Sequence, residues 1–310
     1  MTLSELRYIV ALAREQHFGR AAEACFVSQP TLSVAVKKLE EELGVTLFER
    51  GKGEVTLTPI GELVVGQAQR ALEEASAVKR IAQAHKDPLD GPLRLGLIYT
   101  IGPYLLPDLI PTLNERAPRM PLLIEESYTA ELSRRLRQGD LDAIVISLPF
   151  EERGVLTRAL YDEPFVVVVP AAHPWALREE IAADELAGEP LLMLGAGHCF
   201  RDQVLNACPS CNRAALNESE IQRTIEGGSL ETIRHMVASG MGVTVLPCTA
   251  AGADRYQQRL LAVRRFSNPT PSRRVALAWR SSYPRPEAIE ALHQAVSRCR
   301  LSCVTPADDS

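Results

Sequence analysis

Apolar residues spaced three and four apart run through the first 45 positions of the chain. Leu6, Ile9, Val10 and Ala13 mark one helical stripe, and Ala21, Ala22 and Cys25 a second, after Gly19. Ser28 is suited to cap the next helix, and Pro30 sits in its first turn, where a missing N–H costs little. Leu32, Val36, Leu39 and Leu43 form its apolar face, and Gln29, Thr31, Ser33 and Lys37 its polar one. Strand character at positions 45–48 and 55–57, around Gly51-Lys52-Gly53, predicts a small hairpin or wing. Pro59 then opens a helix to about Lys86. In it Val64, Ala68, Ala71, Ala75, Val78 and Ala82 recur at alternating steps of four and three, a seam that suits pairing with a second copy or lying on its own domain.

Asp87-Pro88-Leu89-Asp90-Gly91-Pro92 reads as a linker. Beyond it, strand-like runs at 93–98, 122–126, 143–148, 165–169, 191–194, 243–246 and 275–279 alternate with helical patterns at 105–116, 130–138, 230–238 and 285–298. The alternation predicts an α/β region in two lobes.

A chain of 310 residues, 46% hydrophobic and 24% charged, has room for two or three such units and is globular rather than disordered. Its most apolar runs, such as 164–172, reach about half the length of a bilayer span, so no membrane partner is expected. The opening Met-Thr-Leu-Ser-Glu-Leu-Arg has no basic patch and apolar core, and a cytoplasmic location is expected. Seven cysteines do not make an even, dense disulfide framework, so any disulfide is suspect as a switch. The net charge of -5 excludes bulk electrostatic attraction to nucleic acid.

Geometry supplies a DNA-binding reading instead. From about Phe18 to Lys37, a helix, a tight turn and a second capped helix form a helix-turn-helix that fits a major groove about 12 Å wide. Ser28, Gln29, Pro30, Thr31, Ser33 and Lys37 are the candidate DNA-facing residues, with Lys38 and the wing's Arg50 and Lys52 as further cations. A plain helical hairpin fits the periodicity equally well, and the wing tips the balance. Residues 1–58 carry seven basic residues (7, 14, 20, 37, 38, 50, 52) against eight acids (5, 15, 23, 40, 41, 42, 49, 54), a net of -1. Affinity should therefore come from several half-sites bound at once.

The runs Ala21-Ala22, Val27-Ser28-Gln29-Pro30-Thr31-Leu32-Ser33, Lys38-Leu39-Glu40, Leu43-Gly44-Val45-Thr46-Leu47-Phe48-Glu49-Arg50 and Leu57-Thr58-Pro59-Ile60-Gly61 resemble the N-terminal domain of LysR-type transcriptional regulators. The resemblance implies a mixed fold. A winged helix-turn-helix would occupy 1–58 and a dimerising linker helix 59–87. A two-lobed α/β effector domain, shaped like a periplasmic binding protein, would fill 88–310, with lobe I at about 92–161 and 268–300 and lobe II at about 162–267. It also implies assembly as a dimer of dimers on double-stranded promoter DNA, with output to RNA polymerase.

The sharpest chemistry lies between Gly195 and Cys208. Cys199 follows an apolar strand and two glycines and precedes a helical stretch. Beside His198 and Arg201, and at a helix start, its sulfur is favoured as the thiolate that attacks peroxide. Oxidation gives a sulfenic acid, which a second thiol condenses into a disulfide. Cys208 lies nine residues on, about 13.5 Å along a helix. A disulfide needs Cα atoms about 4.4–6.8 Å apart, so joining the two would unwind the segment.

This segment, together with 98–105 and 229–240, resembles the peroxide-sensing members of the same family. That likeness implies Cys199 as the thiol attacking hydrogen peroxide, Cys208 as its partner, and a pocket including Thr100, Thr129 and His198. It also counts Gly197 and Arg201 among the residues of that pocket.

Cys208-Pro209-Ser210-Cys211 adds a further thiol, which either competes as the resolving partner or pairs with Cys208. A zinc set with His198 and Cys199 is disfavoured by spacing, and no metal or cofactor is expected. Gly195-Ala196-Gly197 lacks the context of a dinucleotide loop. His17 reads as packing or a phosphate contact, and Cys25, Cys248, Cys299 and Cys303 as structural or incidental. Two rival functions stay open: a regulator that responds to a small organic inducer, and an enzyme, a thiol peroxidase.

Overall fold

The computed structural model describes residues 1–50, 55–82, 88–211, 224–252, 259–301 and 303–307. Three helices open it: α1 (Leu3–Glu15), α2 (Phe18–Ala24) and α3 (Gln29–Leu43). Thr2 and Glu5 form a capping box at α1. The His17 ring accepts the amide hydrogens of Gly19 and Arg20, so this histidine is a helix cap rather than a packing or phosphate residue. Ser28 Oγ accepts the Thr31 N–H at 3.3 Å and starts α3. Leu32, Val36 and Leu39 close on Leu6, Ile9, Leu12, Ala21 and Ala22. Each large side chain buried there contributes roughly 1.5–3 kcal/mol.

The wing differs from expectation in register. Its strands are β1 (Phe48–Arg50) and β2 (Val55–Leu57), paired antiparallel with Phe48 opposite Leu57. The first does not begin at Val45, because Glu40 Oε1 takes the N–H groups of Leu47 (2.7 Å) and Phe48 (3.2 Å). Gly51, Lys52 and Gly53 lie outside the described residues, as does the expected helix end at Lys86.

Helix α4 (Pro59–Ala82) begins against the wing, where a Cβ on Gly61 would sit 2.1 Å from the Leu47 carbonyl oxygen. Its alanine seam is shared. Val64, Ala68 and Ala71 pack into the core of the N-terminal domain, whereas Val78 of the same seam is exposed, as are Ile60 and Leu63 off the seam. Further along, Glu73 docks α4 on lobe I through a buried ion pair with Arg280, 2.6 Å from Glu73 Oε1 to Arg280 Nε.

Lobe I is built on β3 (Leu93–Ile98), β4 (Leu122–Ser127), β5 (Ala143–Ser147), β6 (Val155–Pro170) and β12 (Ser272–Arg280), in the order β4-β3-β5-β12-β6. Helices α5 (Gly102–Arg116), α6 (Thr129–Arg137) and α10 (Pro286–Ser297) pack on it. Lobe II carries β7 (Glu180–Ile181), β8 (Leu191–Leu194), β9 (Thr224–Gly227), β10 (Val243–Pro247) and β11 (Leu261–Phe266), with α7 (Cys199–Ala207), α8 (Leu230–Ala238) and the short α9 (Cys248–Ala251). A final strand, β13 (Thr305–Pro306), pairs with β6.

The strand expected at 165–169 is the second half of β6, a single 16-residue strand. Its first half pairs with β12 as far as Pro164, and from Phe165 it pairs with β10. It thus belongs to both lobes. Asp162-Glu163-Pro164 breaks the apolar pattern in sequence, but in space Glu163 is neutralised by Arg273, which lets the strand run on. Strands β7, β9 and β11 were not expected; β7 and β9 are short, and in β11 the adjacent charges Arg264 and Arg265 fall on both faces and break the alternation.

Candidate functional site

Three strand ends meet between the lobes. After β3 come Tyr99 and Thr100; after β4, Tyr128 and Thr129; after β8, the Gly195–Ala196–Gly197 turn and then α7 headed by Cys199. Together they wall a small cleft with a cavity of about 10 Å³, lined by Thr100, Thr129, Gly197, His198 and Cys199 among others. Gly197 adopts φ +95°, a conformation that strains any L side chain and that swings His198 into the cleft wall.

His198 is only 7% exposed, with its ring 4.8 Å from that of Tyr128 and 5.9 Å from that of Tyr99. Burial pushes its imidazole below the usual range, so it is neutral at pH 7 and can accept or donate a hydrogen bond. This corrects the expectation that His198 supplies a positive charge to Cys199. Arg201 does not supply it either. Its guanidinium donates to the Leu194 carbonyl (2.9 Å) and pairs with Glu226 (2.5 Å), and it does not line the cleft. The positive group that remains beside Cys199 is the first turn of α7, whose amides carry the positive end of the helix dipole.

Thr100 is held from behind. Arg273 donates through Nη1 to its Oγ1 and through Nη2 to its carbonyl, both at 2.8 Å. Arg273 Nε also donates to Glu163 Oε2 at 2.7 Å, and both side chains are fully buried. Because Thr100 Oγ1 accepts from Arg273, its own O–H is left to donate. Thr129 Oγ1 is buried with no hydrogen-bond partner, a state that costs about 1–3 kcal/mol unless something polar meets it.

Helix α7 spans the two lobes. Phe200 and Val204 are buried in the lobe II core, with Phe200 edge-on to Phe165 at 5.0 Å, while Cys199 leans on the lobe I core. Gln203 Nε2 donates to Ser147 Oγ of β5 at 2.7 Å, a direct tie between lobes.

Cys199 is a half-buried free thiol. Cys208, the partner implied by resemblance, is bonded in this state to Cys211, with Cα atoms 5.4 Å apart. A zinc ion shared by His198, Cys199, Cys208 and Cys211 does not fit this pairing. Cys248 and Cys303 are also bonded to each other, which makes that pair structural rather than incidental. Cys25 and Cys299 are free, and burial pushes the Cys299 thiol up to about 11.

Sequence reasoning missed Tyr99, Tyr128, Gln203, Glu163 and Arg273. A signal existed for the tyrosines: Tyr-Thr occurs twice, each time just after a strand.

At the DNA-reading end, Ser28, Gln29, Pro30, Thr31 and Lys37 are exposed and Ser33 is half-buried. Lys37 lies 3.6 Å from Glu41. Arg50 ends β1 opposite Val55. Phe26, 95% exposed with φ +57°, and Val34, 68% exposed, add apolar tips beside the polar row.

Comparison with known proteins places these features. Residues 3–62 match the bacterial regulatory helix-turn-helix protein, lysR family, and residues 86–300 match the LysR substrate binding domain. The chain is 40% identical over 301 residues to the DNA-binding transcriptional dual regulator OxyR of Escherichia coli, covering 97% of this chain and 96% of that one. It is 55% identical to a full-length OxyR cysteine variant from Pseudomonas aeruginosa, with a TM-score of 0.84 and coverage of 100% and 99%. A Corynebacterium glutamicum OxyR cysteine variant, solved with hydrogen peroxide bound, is 35% identical, with a TM-score of 0.62 and coverage of 96% and 92%. With both family regions and this full-length likeness in hand, the chain belongs to the LysR family of bacterial regulatory helix-turn-helix proteins, among its OxyR-like members.

Proposed function

We propose that this chain is a cytoplasmic transcription regulator that binds double-stranded promoter DNA through α2 and α3, senses hydrogen peroxide at Cys199 and signals by joining Cys199 to Cys208. It works as a dimer of dimers and passes its output to RNA polymerase. The observation that carries the reading is the cleft: a free thiol at a helix start, beside a neutral histidine, a held threonine and an unpartnered hydroxyl, around a cavity of about 10 Å³, room for roughly one water-sized molecule. Pockets for organic ligands run to about 300–1,000 Å³. A molecule the size of peroxide suits this cleft, and an organic inducer does not.

The chemistry follows from the walls. Peroxide accepts from Thr100, satisfies Thr129 and contacts neutral His198. The Cys199 thiolate attacks one peroxide oxygen, the O–O bond breaks, sulfur is oxidised to sulfenic acid and the other oxygen leaves as hydroxide. The Cys208 thiol then condenses with the sulfenic acid and releases water. Nine residues of helix, about 13.5 Å, separate the two Cα atoms, so α7 must unwind. Unwinding withdraws Phe200 from lobe II and Gln203 from Ser147. The tie between lobes is lost, and sulfur oxidation becomes a change in lobe and dimer geometry.

Hydrogen peroxide at one equivalent tests this. Cys199→Ser should lose peroxide-dependent transcription while DNA affinity stays within about twofold, since no DNA contact is removed. A Cys199→Ser protein that is still fully inducible would sink the reading, and catalytic turnover of peroxide with a thiol reductant would assign the chain to the peroxidases.

A further inference from the structure

Cys211 sits where it can take the disulfide away from Cys199. The structure holds Cys208 bonded to Cys211 while α7 is fully formed and Cys199 is a free thiol. A Cys199–Cys208 bond cannot coexist with that helix, because its span of nine residues is about twice the reach of a disulfide. The two bonds therefore belong to two conformations of one segment. They differ in what they bury: with Cys208–Cys211 formed, Phe200 and Val204 are 2% and 3% exposed and Gln203 holds Ser147.

On these grounds we propose that Cys211 is a second resolving residue, which converts the Cys199–Cys208 disulfide into Cys208–Cys211 and returns Cys199 to the thiol. The proposal rests on the peroxide-sensing reading above. Three steps balance. Cys199 thiolate and hydrogen peroxide give Cys199 sulfenic acid and hydroxide. The sulfenic acid and Cys208 thiol give the Cys199–Cys208 disulfide and water. Cys211, as thiolate, then attacks the Cys208 sulfur; the Cys208–Cys211 bond forms, the Cys199–Cys208 bond breaks, and Cys199 leaves with the electron pair. No oxidant beyond the one peroxide is consumed, and the third step conserves disulfides.

Geometry and energetics favour that third step. Cys211 is three residues from Cys208, so the attack is intramolecular at high effective concentration. The Cys211 amide donates to Cys208 Sγ at 3.3 Å, which holds the two residues in one tight turn. Cys199 departs as a thiolate into the re-forming first turn of α7, whose amides favour negative charge. The exchange recovers the burial of Phe200 and Val204 without losing an S–S bond. Cys208 and Cys211 are 1% and 6% exposed within the lobe II core, so the product is shielded from external thiols. The consequence is a self-limiting signal: α7 refolds while the chain stays oxidised, and Cys199 has no partner until Cys208–Cys211 is reduced.

The test is time-resolved differential alkylation and peptide mapping of the full-length reduced chain after one equivalent of hydrogen peroxide. Wild type should show Cys199–Cys208 first, then its loss as Cys208–Cys211 rises and Cys199 becomes alkylatable again. Cys211→Ser should stop at Cys199–Cys208 and prolong promoter activation. Cys199→Ser should form no Cys208–Cys211 on this timescale. Persistent Cys199–Cys208 in wild type, with Cys211 alkylatable throughout, overturns the exchange but leaves peroxide sensing standing. Cys208–Cys211 formed equally fast in Cys199→Ser also overturns it, since the bond then arises without Cys199. Absence of Cys199–Cys208 from both wild type and folded, DNA-binding Cys211→Ser overturns the sensing reading and the exchange together.

Discussion

Arg273→Leu is the most demanding perturbation the structure offers, because one guanidinium joins three parts of the effector domain. It ties β12 to β6 through Glu163 and to the cleft through Thr100, and Glu163 in turn accepts from the Thr249 amide at 3.1 Å and from its hydroxyl at the start of lobe II's α9. Removing the arginine strands a fully buried carboxylate with Thr249 alone. Breaking a buried pair in this way costs about 3–5 kcal/mol. At 1.36 kcal/mol per power of ten, that lowers the folding constant by roughly two to almost four powers of ten.

Urea unfolding reads this directly, since the two tryptophans report separately: Trp175 packs in the lobe II core and Trp279 against that of lobe I. With a slope of about 2 kcal/mol per molar, the midpoint should fall by roughly 1.5–2.5 M at both tryptophans. The double change Glu163→Leu with Arg273→Leu removes both charges and should recover more than half of the loss, because two apolar side chains replace a costly desolvated pair. A single variant within about 0.3 M of wild type would refute the reasoning, as would a double variant as unstable as the single.

Three more outcomes follow from other parts of the molecule. Burial holds the His198 imidazole below its usual 6.5, so on acidification the unfolded chain takes up the proton before the folded one does. The stability it preserves is therefore full above about 6.5 and lost as pH falls below that, and His198→Phe should flatten the drop in thermal midpoint between about pH 7.5 and about pH 5.5. Ser28→Ala removes the acceptor for the Thr31 amide and should cost about 1 kcal/mol of stability along with DNA affinity, measurable by thermal melting and fluorescence anisotropy. Gln203→Leu cuts the tie to Ser147, worth about 0.5–1.5 kcal/mol, so Cys199–Cys208 should form up to about tenfold faster in quenched alkylation; an unchanged rate would mean that α7 unwinding does not limit the step.

Much of the N-terminal half was legible in sequence, because its signals are local. Ser28 and Pro30 start α3, and the spacing of Leu32, Val36 and Leu39 turns one face inward, whatever the rest of the chain does. The helix at 230–238 lies exactly as long as its apolar period for the same reason, and Cys199 was visible at a strand-to-helix junction. Tertiary structure decided the rest. Periodicity shows that Val64, Ala68 and Ala71 face something apolar, but only packing shows that the something is the chain's own N-terminal core. Glu163 and Arg273 read as surface charges, and they are buried because each finds the other 110 residues away. Arg201 stands beside Cys199 in sequence and turns to Glu226 in space, and Cys208 takes its sulfur partner from a turn of three residues rather than along the helix. A local pattern determines which face of an element shuns water; which charge or sulfur meets another depends on how distant elements stack.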